Sequence, residues 1–273
     1  MREPLKALIA QMRWSGIERV LDEELDLAER KGTPVPEVLF RLLRAEDAAR
    51  REKSLAYRLT QAHLPWPWTL QSFPFDRQPS VSKSQLLSLA GLDFLRRGEN
   101  ILLIGSQGTG KSGVAVGLVR EACLNGYRAR FYSAQDLLDE LYASLADRST
   151  VQLLKNLSRI QLIAIDELGY LNLKPEQVNA FFRLMDQRYT QGLSTIITTN
   201  LELPDWYELF QKKPLVDALL DRLQHRCIVL RLSGPSLRSQ PVGSSASDAE
   251  QRAPAVRRSP ARKKPSPDAS PAT

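Results

Sequence analysis

Cysteine is nearly absent from this chain of 273 residues, which holds only Cys123 and Cys227. Neither has a partner at metal-binding or redox spacing, so both read as buried thiols of a reducing compartment and carry no assigned chemistry. Long apolar runs are missing as well. No stretch approaches the roughly 20 residues needed to cross a bilayer. The opening Met1-Arg-Glu-Pro-Leu-Lys turns polar at once and lacks the apolar core and small-residue cleavage site of a secretory signal. The expectation is a cytoplasmic protein with no membrane partner. No internal repeat is visible. From Ser239 to Thr273 large apolar side chains give out in favour of Ser, Pro, Ala, Arg and Lys. Such a segment cannot bury enough surface to offset chain entropy, which predicts a disordered basic tail over 239–273.

What remains is ordinary globular material: 42% hydrophobic and 25% charged residues. The net charge of +7 favours a polyanionic partner such as DNA, although charge alone licenses only non-specific attraction. Ile17, Val20, Leu21, Leu25 and Ala28 recur at helical spacing among acidic residues. A second helical pattern begins at Val38 and runs through the basic stretch from Arg44 to Arg58. The prolines between Leu64 and Phe75 interrupt regular helix, and they divide a helical module over 1–68 from a main domain over 69–238. In that domain five short apolar runs, Ile101–Ile104, Ala129–Tyr132, Leu162–Ile165, Thr195–Thr198 and Ile228–Leu232, alternate with helical patterns. This interleaving predicts a three-layer α/β fold around a parallel sheet.

After the first run comes Gly105-Ser106-Gln107-Gly108-Thr109-Gly110-Lys111-Ser112, the phosphate-loop pattern G-x-x-x-x-G-K-[ST], followed by a helical run. Glycines let successive N–H groups turn inward towards phosphate oxygens, and the next helix offers the positive end of its dipole to the same anion. Lys111 is expected to reach the β- and γ-phosphates of ATP, and the Ser112 hydroxyl to ligate Mg2+. About 55 residues later the run Leu162-Ile-Ala-Ile ends in Asp166 and Glu167. Carboxylates at the C-terminal end of a buried parallel strand lie on the edge where such sheets bind ligands. Asp166 is assigned to magnesium through its water shell, and Glu167 to the attacking water. Asn200 ends the next strand, where its amide could hydrogen-bond that water or the γ-phosphate. Arg222 lies near the end of an amphipathic helix, where by itself it reads as a surface cation.

Together these residues resemble the AAA+ ATPases of the IstB and DnaC group, with the IstB-like transposition helpers the nearer match. The resemblance rests on Ile165-Asp-Glu-Leu-Gly-Tyr170-Leu, on Thr198-Thr-Asn200-Leu, on Ala218-Leu-Leu-Asp-Arg222-Leu and on Ser233-Gly-Pro-Ser-Leu-Arg238, and covers roughly residues 10–238. It implies Asn200 as a sensor of the γ-phosphate and Arg222 as an arginine finger for the neighbouring subunit. It also implies an ATP-dependent homo-oligomer that binds double-stranded DNA and activates an IstA-like transposase. The chain departs from the usual pattern at Gly113, where His is common, and at Trp68, where Lys is common. Leu237 stands where Tyr is common.

At 100° per residue Arg44, Arg51 and Arg58 fall within a narrow arc of one helix face. With Arg50 and Lys53 they form the expected DNA-binding set, a stripe suited to backbone phosphates. The bland alternative is a solvated face balanced by Glu46, Asp47 and Glu52. Three further functional readings stay open: a DnaC-type helicase loader, a phosphate-loop kinase acting on a small metabolite, and an ATP-binding adaptor that does not turn over.

Overall fold

The computed structural model describes residues 2–169 and 171–238; the expected disordered tail and Tyr170 lie outside the described residues. Three helices open the chain: α1 (Arg2–Gln11), α2 (Ser15–Lys31) and α3 (Val35–Gln61). The α2 helix stops at Gly32, whose left-handed backbone (φ 62°) returns its N–H to the Ala28 carbonyl. Pro36 then sits in the first turn of α3, where its missing N–H costs nothing. Ile9, Ile17, Leu21, Val38 and Leu42 close a small core between these helices. The far half of α3 packs elsewhere. Its end is fixed to the main domain by the Phe131 N–H on the Ala62 carbonyl at 2.8 Å.

The main domain follows the expected alternation. Helices α4 (Lys83–Ala90) and α5 (Asp93–Arg97) precede β1 (Asn100–Gly105), α6 (Lys111–Leu124), β2 (Ala129–Ser133), α7 (Ala134–Ala146), α8 (Thr150–Leu157) and β3 (Leu162–Asp166). After these come α9 (Pro175–Thr190), β4 (Ser194–Thr199), α10 (Trp206–Phe210), α11 (Lys213–His225) and β5 (Cys227–Leu232). All five strands are parallel, in the order β2-β3-β4-β1-β5. Alternate residues of each strand face opposite sides. Ile101 and Leu103 join a core with α4 and α6, whereas Leu102 and Ile104 join one with α7, α9 and α11. The fold is therefore the three-layer α/β architecture expected. No described helix is long and apolar enough to cross a membrane.

Two buried charges fix parts that apolar packing alone leaves free. Glu46 on α3 accepts hydrogen bonds from the Gly16 and Ile17 N–H groups at 2.8 and 3.4 Å, and from Arg50 Nε at 2.8 Å. It thus caps the start of α2 from another helix, supplying the acceptor that the first-turn N–H groups lack. The helices cross closely there, since a Cβ on Gly16 would stand 2.4 Å from the Ala45 carbonyl. Burial works against the charge on Glu46, but the hydrogen bonds from Arg50, Gly16 and Ile17 outweigh it and hold the carboxyl below its usual range.

Arg188 on α9 is 1% exposed and has no carboxylate beside it. Its donors reach Thr195 Oγ1 and the carbonyls of Leu157, Ile160, Gln161 and Ser194, at 2.5 to 3.4 Å. Five guanidinium N–H groups meet five acceptors. They tie the entry to β3 to the start of β4.

Glu46→Ala leaves two buried N–H groups unpaired and should destabilise the helical module by about 1–3 kcal/mol, with faster amide exchange at Gly16 and Ile17. Because the folded carboxyl lies below its unfolded value of about 4.3, its stabilisation is present at neutral pH and fades as pH falls through the folded pKa. Glu46→Gln should accordingly melt below the native protein at pH 7 and converge with it in acid. Arg188→Lys, with three donors for five acceptors, should lower stability by about 2 kcal/mol or more in chemical denaturation.

Candidate nucleotide site

The C-terminal edge of the sheet gathers the expected residues. Gly105 ends β1, Asp166 ends β3 opposite Ser133, and Thr199 ends β4 opposite Ile104. The phosphate loop spans from Gly105 into α6, with Gly108 and Gly110 at φ 80° and 99°, where a side chain would be strained. Ser106 and Gln107 form its exposed tip. The buried Thr109 hydroxyl donates to the Ser106 carbonyl at 2.9 Å and braces the turn. Lys111 Nζ donates to the Gly105 and Ser106 carbonyls, both at 2.8 Å, so the ammonium is already folded back over the loop. Burial depresses its pKa, Asp166 and Glu167 pull it back up, and Arg238 adds to the depression.

Against the loop lie two segments from distant parts of the chain. The Leu237 N–H donates to the Gly108 carbonyl at 2.8 Å, and a Cβ on Gly108 would meet Ser236 Oγ at 2.1 Å. Gln78 Nε2 donates to the Pro235 carbonyl at 3.0 Å, and Ser80 Oγ accepts from the Ser233 N–H at 3.0 Å. The stretches 73–80 and 233–238 are thus bound to one another against the loop. Leu237 therefore contributes its backbone N–H and an apolar contact with Gly110.

Gly113 receives a structural explanation beyond its low helix propensity. A Cβ there would lie 2.9 Å from the Trp68 indole, and one on Gly117 would lie 2.5 Å from Leu70. Four residues apart, these two glycines form a trough on one side of α6 in which the linker lies. Trp68 is a packing contact on the first turn of the loop helix.

Facing the loop, Asp166 is buried and its Oδ1 accepts from Thr198 Oγ1 at 2.5 Å. Burial pushes the Asp166 carboxyl up, while the hydroxyls of Thr198 and Ser112 draw it down; the net direction is upward. Glu167 is exposed and left-handed at φ 61°, a conformation costing a non-glycine residue about 1–2 kcal/mol. Its N–H donates to Thr198 Oγ1 at 2.9 Å. Asn200 stands beside this turn, with its Oδ1 2.6 Å from where a Gly169 Cβ would be. The donor set fits Mg2+: Ser112 and Asp166 supply one hydroxyl and one carboxylate next to a phosphate loop. Magnesium is ordinarily held that way, with waters and substrate phosphates completing its shell.

The remaining expected residues lie apart. Arg222 is at the opposite edge of the sheet, near Asn100 and Thr195 at the strand starts. It pairs with Asp186 at 2.6 Å and lies over the Tyr189 ring at 5.6 Å. Of the basic set on α3, Arg50 is bound to Glu46, Lys53 to Ser15 Oγ and Arg58 to the Cys123 carbonyl and Ser54. Arg51 pairs with Asp47 at 2.9 Å but stays 80% exposed, and Arg44 is exposed.

The family described as IstB-like ATP binding protein matches residues 7–245. The chain belongs to this family. Among its relatives, an ATP-binding protein of insertion sequence IS21 from Pseudomonas aeruginosa is 33% identical over 234 residues, covering 86% of this chain and 88% of the relative. A second, of insertion sequence IS5376 from Geobacillus stearothermophilus, is 32% identical over 226 residues, covering 83% and 87%. Among solved structures, the DnaC helicase loader superposes with a TM-score of 0.51 at 22% identity, over 61% of this chain and 97% of that one. DnaI gives 0.52 at 16% identity, over 62% and 95%. These two share the fold of the IstB-like chain. Thr198, Arg188 and the Gly117 trough were not assigned from sequence; only the helical spacing of Gly113 and Gly117 carried a signal.

Lys111→Ala removes a charge-assisted donor worth about 1.5–3 kcal/mol, so ATP affinity in an equilibrium binding measurement should fall about 10- to 100-fold.

Proposed function

We propose that this IstB-like protein is a Mg2+-dependent ATPase of the cytoplasm that assembles on duplex DNA with ATP bound and activates a partner transposase of the IstA type. The observation that carries the hydrolytic part is the placement of Glu167, exposed and directed by a left-handed turn, next to buried Asp166 on the sheet edge that bears the phosphate loop. Lys111 would leave its own carbonyls for the β- and γ-phosphates, and Ser112 and Asp166 would hold the metal. When bound, Mg2+ supplies charge neutralisation at the phosphate oxygens. Glu167 takes the proton of the attacking water as its oxygen bonds the γ-phosphorus and the bond to the bridging oxygen breaks, releasing ADP and phosphate. Asn200 orients that water. A carboxylate in this place can serve as the general base for water, the acceptor this reading assigns.

Self-assembly in this reading rests on Arg222. It sits at the end of the sheet away from its own loop, beside Asp186, and its assigned role is to serve the phosphates of a neighbouring copy. Residues 1–68 are the DNA- and partner-binding module in this reading, with Arg44, Arg50, Arg51 and Lys53 as the exposed α3 cations for phosphates and the half-buried Arg58 bound to the Cys123 carbonyl. Residues 69–238 are the ATPase domain. The relatives named for insertion sequences support the transposition setting.

Steady-state hydrolysis should be stimulated by duplex DNA and abolished by Glu167→Gln, which still binds ATP. Stimulation by single strands alone would replace this reading with the helicase-loader one, and indifference to DNA would remove both. Lys111→Ala and Arg222→Ala should each be inactive, yet a mixture of the two should regain activity, because the intact Arg222 of one completes the ATP site of the other. Failure to complement in mixed oligomers verified by size would exclude the shared site.

A further inference from the structure

We infer that Thr198 is the positioning residue that sets both acidic groups of the site, an inference that rests on the hydrolytic reading above. Its side chain is fully buried at the end of β4. One hydroxyl does two things there. It donates to Asp166 Oδ1 at 2.5 Å and accepts the Glu167 N–H at 2.9 Å. The Thr198 carbonyl in turn accepts the Leu168 N–H at 2.9 Å. Three consecutive residues, the metal-holding carboxylate, the water-activating carboxylate and the next apolar anchor, are thereby bound to one residue of the neighbouring strand.

The chemistry of a hydroxyl is what makes this possible. It carries one proton and two lone pairs, so a single oxygen can donate to a carboxylate while accepting from an amide. Valine has the same outline and can do neither. The branched Cβ also restricts χ1, which keeps the oxygen aimed at the turn. Held this way, Asp166 keeps one oxygen engaged with β4, and Glu167 stays in a left-handed conformation that would otherwise relax. Thr198 touches neither nucleotide nor water in this account; it acts through the two carboxylates.

The decisive comparison is Thr198→Ser against Thr198→Ala, which remove the same methyl group and differ only in the hydroxyl, with Thr198→Val as the isosteric control. The Ala and Val variants should lose about 10- to 100-fold in kcat, the range seen when a partner that orients a metal ligand is removed. Their KM for ATP in the presence of Mg2+ should rise along with the lost Mg2+-dependent affinity, and the Ser variant should stay within about threefold of native on both. A second readout is binding of a fluorescent ATP analogue with and without Mg2+. Ala and Val should bind the Mg2+-free analogue as the native protein does and lose most of the affinity that Mg2+ adds, while Ser keeps it. Equal losses in Ser and Ala, or a parallel fall in Mg2+-free binding, would overturn the inference by assigning Thr198 to packing or to loop shape. Should the native protein hydrolyse no ATP, the hydrolytic reading fails, and the Mg2+-dependent binding comparison still decides on Thr198.

Discussion

The pairing of β3 with β4 is the constraint on which the site depends. Leu162 lies opposite Ser194 and Ile165 opposite Ile197, so the chain leaves β3 at Asp166 just where β4 offers Thr198. A slip of one residue would turn Thr198 to the other face of the sheet and leave the Asp166 carboxylate buried without that donor. Arg188 holds the same strand pair at its other end, through carbonyls on the approach to β3 and at the start of β4. Register is thus secured at both ends by hydrogen bonds, while the apolar residues between them could tolerate more than one alignment.

The phosphate loop meets a second constraint, because two distant segments of the chain pack against it. Contact with 73–80 and 233–238 uses the absence of side chains at Gly108 and Gly110 for packing as much as for turning. Gly113 and Gly117 extend the same logic along α6, where the linker with Trp68 and Leu70 takes the room that two side chains would fill. A glycine that weakens a helix by up to about 1 kcal/mol in isolation here permits burial of an indole against the loop helix.

Helix α3 connects these regions mechanically. Its first half closes the small helical core and its last turn is bonded to the main domain through Ala62 and Arg58. The charges along it serve different ends. Arg50, Arg51, Lys53 and Arg58 each hold a partner within the chain, Glu46, Asp47, Ser15 and the Cys123 carbonyl respectively. Arg44, Arg50, Arg51 and Lys53 are nevertheless exposed.

The sequence by itself determined the strands, the phosphate loop and the acidic strand end, since each depends on residues adjacent in the chain: an apolar run long enough for one strand, glycines at fixed offsets, carboxylates directly after the run. It also carried the family, because Ile165-Asp-Glu-Leu-Gly and Thr198-Thr-Asn200 are local patterns. The tertiary structure decided what depends on the approach of segments far apart. Thr198 stood in a strand run with no role of its own until β4 lay beside β3, and Arg188 carried no signal in the sequence until five acceptors surrounded it. Gly113 was only a departure from the usual His until Trp68 lay against it. Local pattern fixes which atoms are offered, but hydrogen bonds and close packing are set by distance, and the distance between residues 32 or 45 positions apart exists only in the folded chain.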